Sequence, residues 1–133
     1  MLKQAILVNK DLKMGVGKIC VQVGHAEVMY MKKVMLECRY TNLKSSCEFM
    51  LKYIDWCDLT LEDPIGMQKK VVLKSTESEI RDMYLRLKSL DIWCYLIHDK
   101  GLTQVPENSL TCLIVEPLED LKYNELFRDF KLL

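Results

Sequence analysis

The spacing of apolar residues changes several times along the chain, and each change marks an element. Ala5-Ile6-Leu7-Val8 is a short continuous apolar run, which predicts a buried first strand over about Lys3 to Asn9. From Gly15–Gly17 to about Tyr40 the apolar residues fall at helical spacing, with Ile19, Val23, Ala26, Tyr30 and Val34 as the buried stripe. Thr41-Asn42-Leu43-Lys44 reads as a turn, and Ser45-Ser46-Cys47-Glu48 matches a capping box at the start of a second helix. That helix reaches about Asp58, with Cys47, Met50, Leu51, Ile54 and Cys57 as its core face. Phe49, Tyr53 and Trp56 make a second stripe, which reads as packing under the Leu59–Met67 loop rather than as a base-stacking platform.

Thr60 to Gln68, with Pro64 and Gly66, reads as a loop, and Lys69 to Lys74 as a second strand with Val71-Val72-Leu73 at its centre. Thr76 to Glu79 is another capping box, opening a third helix to about Leu90 whose face carries Ile80, Met83, Tyr84, Leu87 and Leu90. Ile92 to His98 and Leu110 to Glu116 are the third and fourth strands, joined by a loop from Asp99 to Ser109. Pro117-Leu118-Glu119-Asp120 opens a short last helix, and the apolar Phe130–Leu133 tail is suited to docking. The order β-α-α-β-α-β-β-α predicts an α/β fold. It is a three-layer single domain over residues 1–133, with a four-stranded mixed sheet and helices on both faces. Strands three and four have no helix between them and are expected to be antiparallel.

Composition narrows the class. The chain has 133 residues, half of them apolar, and a net charge of zero, which argues against a strongly basic nucleic-acid module. Yet residues 1–54 carry nine Lys/Arg against four Asp/Glu, and residues 55–133 carry ten against fifteen, so the first part could guide a polyanion to one face. No membrane span or signal peptide is evident. The six cysteines (Cys20, Cys38, Cys47, Cys57, Cys94, Cys112) show no metal spacing, and most fall on apolar positions; they read as reduced thiols of a cytoplasmic protein.

Two stretches resist a purely structural account. Asn9 to His25 joins the first strand to the first helix through Gly15 and Gly17, and a glycine-bearing turn onto a helix N-terminus suits an anion. Lys18, Gln22 and His25 are spaced i, i+4, i+7, so a cation, an amide and an imidazole share one helix face. The loop Asp99-Lys100-Gly101-Leu102-Thr103-Gln104-Val105-Pro106 adds a carboxylate at a strand end, a hydroxyl and an amide. A phosphate-loop nucleotide site is a poor reading: the loop is too short, and Ile19 stands where a magnesium-binding hydroxyl would be.

Asp-Leu-Lys-Met-Gly-x-Gly-Lys-x-x-x-Gln-x-x-His-Ala at 11–26, the strand Gln68–Lys74, Asp99-x-Gly-x-Thr-Gln at 99–104 and the ending Asp129-Phe130-Lys131-Leu132-Leu133 together resemble the type II peptidyl-tRNA hydrolases of archaea and eukaryotes, over nearly the whole chain. The resemblance implies hydrolysis of the ester between a peptide and the 3′ end of tRNA, recycling tRNA from prematurely released peptidyl-tRNA. It also implies no metal or cofactor in the chemistry, and often a homodimer. By motif position the family's catalytic residues fall on Lys18, Asp99 and Thr103, and its substrate-binding positions on Gln22, His25, Lys13, Gly15, Gly17 and Gln104.

Such a hydrolysis needs a positioned water, a stabilised oxyanion and help for the leaving ribose oxygen. Lys18 could supply the positive charge. Asp99 could hold Lys18 or take a proton from water, Thr103 and Gln22 could orient that water, and His25 is a proton shuttle or a packing residue. The chain departs from the family pattern at Asn9 (arginine in the family), Val16 (lysine), Lys100 (alanine) and Glu116 (glycine). The alternative reading is a catalytically reduced binding or adaptor protein on the same fold, separated from the enzyme by whether Lys18 is needed for turnover.

Overall fold

The structure, a computed structural model, describes residues 1–40, 48–57, 67–102 and 104–133. Strand β1 (Leu2–Asn9) is buried along its length except at Lys3, and its apolar run places it inside the sheet. On one side it pairs in parallel with β2 (Lys70–Ser75), Gln4 opposite Lys70 and Asn9 opposite Ser75. On the other it pairs antiparallel with β4 (Ser109–Val115), Ile6 opposite Ile114. Beyond β4 lies β3 (Cys94–Asp99), antiparallel to it and at the edge of the sheet.

The period-2 alternation of β1 sorts the two cores. Ile6 and Val8 face helices α1 (Val16–Tyr40) and α2 (Glu48–Cys57), packing with Ala26, Tyr30, Val34 and Trp56. Ala5 and Leu7 face α3 (Glu77–Ser89) and α4 (Asp120–Phe127), packing with Ile80, Leu87, Tyr123 and Phe127. The domain is three-layered and the sheet mixed, as the element order predicts.

Among the described residues, however, the sheet has six strands and not four. β5 (Leu118–Glu119) and β6 (Lys131–Leu132) are two residues each, too short for any period to be legible. β5 continues the path of β4 along β1, Leu2 opposite Glu119. Pro117, which has no N–H to give a ladder, separates the two segments. Leu118 is therefore a buried, paired residue, and the last helix starts at Asp120. β6 covers the outer side of β2, Leu73 opposite Leu132, and Leu133 N–H donates to Val72 O (3.0 Å).

The face of α2 is also rotated from the one the apolar spacing suggests. Leu51 and Ile54 are exposed, whereas Trp56 and Cys57 are buried and Phe49, Met50 and Tyr53 pack partly beneath α1. Trp56 stands edge-on to Tyr30 (centroids 5.9 Å apart), and its indole N–H donates to Lys69 O (2.8 Å). Aromatic side chains have more area to bury than Leu or Ile, and the indole finds its acceptor only on this side. The expected turn at Thr41–Lys44, the cap residues Ser45–Cys47 and the loop through Gly66 lie outside the described residues.

The hydroxyl half of the second capping box is formed: Thr76 Oγ1 accepts from Glu79 N–H (3.1 Å), and it donates to Glu79 Oε1 (3.0 Å). Thr76→Ala should lower stability by about 1 kcal/mol, read from the denaturant midpoint. Cys57, Cys94 and Cys112 are buried free thiols and Cys38 is half-buried, but Cys20 is exposed on the outward side of α1. Cys47 lies outside the described residues.

Candidate active site

Two loops meet at one end of the sheet, where β1 hands over to α1 and β3 ends. After β1 the chain makes a 3-10 turn over Lys10–Leu12, whose first N–H groups need an acceptor; Asn9 Oδ1 takes one from Asp11 (3.0 Å). The buried Asn9 amide also donates to Leu110 O (2.8 Å), tying this junction to β4. Asn9 thus has a local structural role where the family pattern has an arginine.

The reversal onto α1 is made at Lys13, whose φ is 50°, and not at the glycines to which the sequence reading assigns it. A Cβ at Gly17 would meet open space, and one at Gly15 would make ordinary contact with Gln104. Glycine is demanded instead at Gly101, where φ is 77° and a Cβ would come within 2.4 Å of Glu107 N. The two loops are joined directly, because Gly15 N–H donates to Gln104 Oε1 (3.2 Å).

Helical spacing places Lys18 and Gln22 one turn apart, over the end of β3. Lys18 Nζ donates to Asp99 Oδ1 at 2.9 Å, and Gln22 Nε2 donates to the same oxygen at 2.9 Å. Asp99 Oδ2 accepts from Gly101 N–H (2.8 Å). The Lys18 and Asp99 side chains retain about a tenth of their exposure (10% and 11%), so the pair lies at a surface opening. The Lys18 hydrogen bond first, then the Gly101 N–H, hold the Asp99 carboxyl below the ordinary carboxylate range. An anion accepting three donors is a weak base and a firm anchor.

Gln22 is completely buried, so both ends of its amide need partners. The second comes from Thr111, whose Oγ1 donates to Gln22 Oε1 (2.6 Å) and lies 3.1 Å from Ile97 O. The β3–β4 register explains how Thr111 reaches it. Ile97 faces Cys112 but His98 faces Leu110, which makes Thr111 the extra residue of a bulge. A bulge re-aims a side chain that strict alternation would send elsewhere. Regular strand spacing hides this residue; the one signal for it is a threonine inside the apolar run Leu110–Val115. Thr111→Val would leave Gln22 Oε1 buried without its donor, and should cost about 1–3 kcal/mol of stability in denaturant unfolding.

Lys13 is exposed on the junction, and exposed Lys10 and Lys100 stand on the same two loops. His25 does not join Lys18 and Gln22: it is exposed two turns along α1, lining a groove beside β3 with Tyr95 and His98. Thr103 lies outside the described residues. Val16, where the family has lysine, is an exposed first residue of α1. Glu116 sits at the far end of β4, beyond the Ser109–Asp99 pairing by roughly 23 Å of strand, and is ion-paired with Lys52 (3.2 Å). Its charge therefore falls well away from Lys18. Among the described residues, no three His, Cys, Asp or Glu side chains converge as ligands for a metal ion, and no helix is long and apolar enough to cross a membrane.

The sequence model of a family described as Peptidyl-tRNA hydrolase PTH2 matches residues 2–133. A peptidyl-tRNA hydrolase of Methanothermobacter thermautotrophicus is 33% identical over 132 residues, covering 99% of this chain and 100% of the relative. One of Staphylothermus marinus is 32% identical over 131 residues, covering 98% of this chain and 94% of the relative. One of Methanocaldococcus jannaschii is 28% identical over 132 residues, covering 99% and 100%.

Proposed function

The chain belongs to the Peptidyl-tRNA hydrolase PTH2 family, and we propose that it hydrolyses the ester between a peptide and tRNA, with Lys18 as the cation at the reacting oxygen. The observation that carries the site assignment is the convergence of Lys18, Gln22 and Asp99 at a surface opening, with Gln22 locked from behind by Thr111. In this reading water adds to the acyl carbon and gives up a proton to bulk solvent, negative charge collects on the carbonyl oxygen, and the carbon–ribose oxygen bond then breaks as the ribose oxygen takes a proton back from solvent. The Lys18 ammonium stabilises the oxyanion, aided by the positive end of α1, whose first turn it occupies. Asp99, ionised and saturated with donors, positions Lys18 instead of accepting the proton from water. Gln22 keeps the Asp99 carboxylate in place, and Thr103, assigned by motif position alone, orients the water. Exposed Lys10, Lys13 and Lys100 favour approach of the phosphate backbone.

Residues 1–133 act as one domain, in the cytoplasm and as a homodimer. Free thiols at Cys20, Cys57, Cys94 and Cys112 support a reducing compartment. An apolar hollow of about 590 Å³ between Val16, Cys20 and Val23 of α1 and the Leu132–Leu133 terminus supports pairing with a second copy. The reading is tested by release of N-acetylaminoacyl product from N-acetylaminoacyl-tRNA, in EDTA, by the natural protein and by Lys18→Ala. Multiple turnovers in the first and their loss in the second are expected; tight tRNA binding without turnover in the natural protein would assign an adaptor instead.

A further inference from the structure

Among the described residues β3 is an edge strand, with no other strand on its outer side. Glu116 N–H donates to Trp93 O (3.0 Å), which fixes the phase of the β3–β4 ladder. Residues 95 and 97 then exchange bonds with β4, and the N–H and C=O of Leu96 turn to the open side. Natural edges are commonly guarded by lysine, proline or an inward charge; β3 carries one such charge, Asp99 at its last residue, and the five residues before it have none of these guards.

Alongside this edge runs a groove of about 340 Å³, walled by His25, Val28 and Met29 of α1 and by Tyr95 to His98 of β3. Successive strand residues point to opposite faces, so a cavity touching four in a row follows the edge backbone itself. Val28 is 63% and Tyr95 42% exposed, leaving apolar surface uncovered there. The lining of the groove ends at His98, the residue before Asp99, so its C-terminal end points along β3 toward the Lys18–Asp99 pair.

The proposed substrate has two halves, a polyanion and a peptide. Among the described residues the groove has no lysine or arginine in its wall, whereas exposed Lys10, Lys13 and Lys100 stand on the two loops at the end of β3 where Asp99 lies. We propose that the peptide half lies in this groove as an added strand on β3, delivering its C-terminal ester carbonyl to Lys18. The inference deepens the hydrolase reading and rests on it. Direction follows from the chemistry: the ester is at the peptide's C-terminus and the reacting end of β3 is its own C-terminus, so the added strand runs parallel to β3. Tyr95 to His98 span roughly 13 Å, room for three or four residues. Main-chain pairing holds a peptide whatever its side chains, which suits an enzyme that meets unfinished chains of every sequence. His25 then acts as a wall of the peptide groove.

The test compares kcat/KM for tRNA carrying N-acetyl-Val, N-acetyl-Ala-Ala-Val, and the latter with its backbone amides N-methylated. The three-residue substrate should be preferred about tenfold, and N-methylation should erase the preference. In Val28→Gln and Tyr95→Ala the ratio of long to short substrate should fall toward one. Equal rates on all three substrates would overturn the groove assignment and leave the hydrolase standing. A length preference that survives both N-methylation and the variants would place the peptide elsewhere. A dimer in analytical ultracentrifugation that Tyr95→Ala dissociates would assign the edge to a second copy. Absence of turnover on every substrate would overturn the hydrolase reading together with this inference.

Discussion

Lys18→Ala should lower kcat/KM on N-acetylaminoacyl-tRNA by about 10²–10³-fold while the protein stays folded, as removal of an oxyanion donor typically does. Folding survives because position 18 lies in the first turn of α1, alanine is the best helix former, and Asp99 keeps Gln22 Nε2 and Gly101 N–H as donors. A thermal melt close to that of the natural protein is the control. Lys18→Arg separates charge from geometry. It keeps the cation that attracts tRNA, but a planar fork does not reproduce a point charge bonded to one carboxylate oxygen, Asp99 Oδ1. In Lys18→Arg kcat should therefore stay low while KM stays near that of the natural protein. Activity of Lys18→Ala within a few-fold of the natural protein would remove Lys18 from the chemistry.

Part of this site is legible in the sequence, and the division has physical causes. Lys18 and Gln22 are four residues apart on a helix, so local periodicity pairs them, whereas Asp99, distant in sequence, is marked by its polar loop and joined to them only by the resemblance of both motifs to one family. The same periodicity extends the face to His25, but by position 25 the helix has carried that side chain along β3 and away from its end. Thr111 is invisible to a strict two-residue alternation, because its orientation depends on a one-residue register shift between two strands distant in sequence. The short strands β5 and β6 are fixed by the partners β1 and β2 offer them, not by any pattern of their own. On α2, apolar spacing alone favours Leu51 and Ile54. The burial of Trp56 is settled by Tyr30 and Lys69 O, both from outside that helix.

Asp99→Asn should reduce kcat by about 10²-fold with KM changed far less, because the residue acts on Lys18 and not on the nucleic acid. The substitution keeps the size of the side chain but replaces one acceptor oxygen by a donor. Oδ1 takes Lys18 and Gln22, and Oδ2 takes the Gly101 N–H, so either orientation of the new amide sets N–H against a donor. Lys18 also loses the negative charge of Asp99 that it is paired with.

The same carboxylate gives the stability a signed pH dependence. Its pKa is lowered on folding, so the unfolded chain binds the proton more readily. The stabilisation from Asp99 is accordingly complete above the unfolded value of about 3.9 and declines as pH falls through the lower folded value. Measured by denaturant unfolding, the stability gap between the natural protein and Asp99→Asn should hold constant from neutral pH down to about 5 and narrow only below about 4. A gap that began to close between pH 6 and 7 would mean that Asp99 protonates there, which would make it the base that takes the proton from water and return Lys18 to a supporting part.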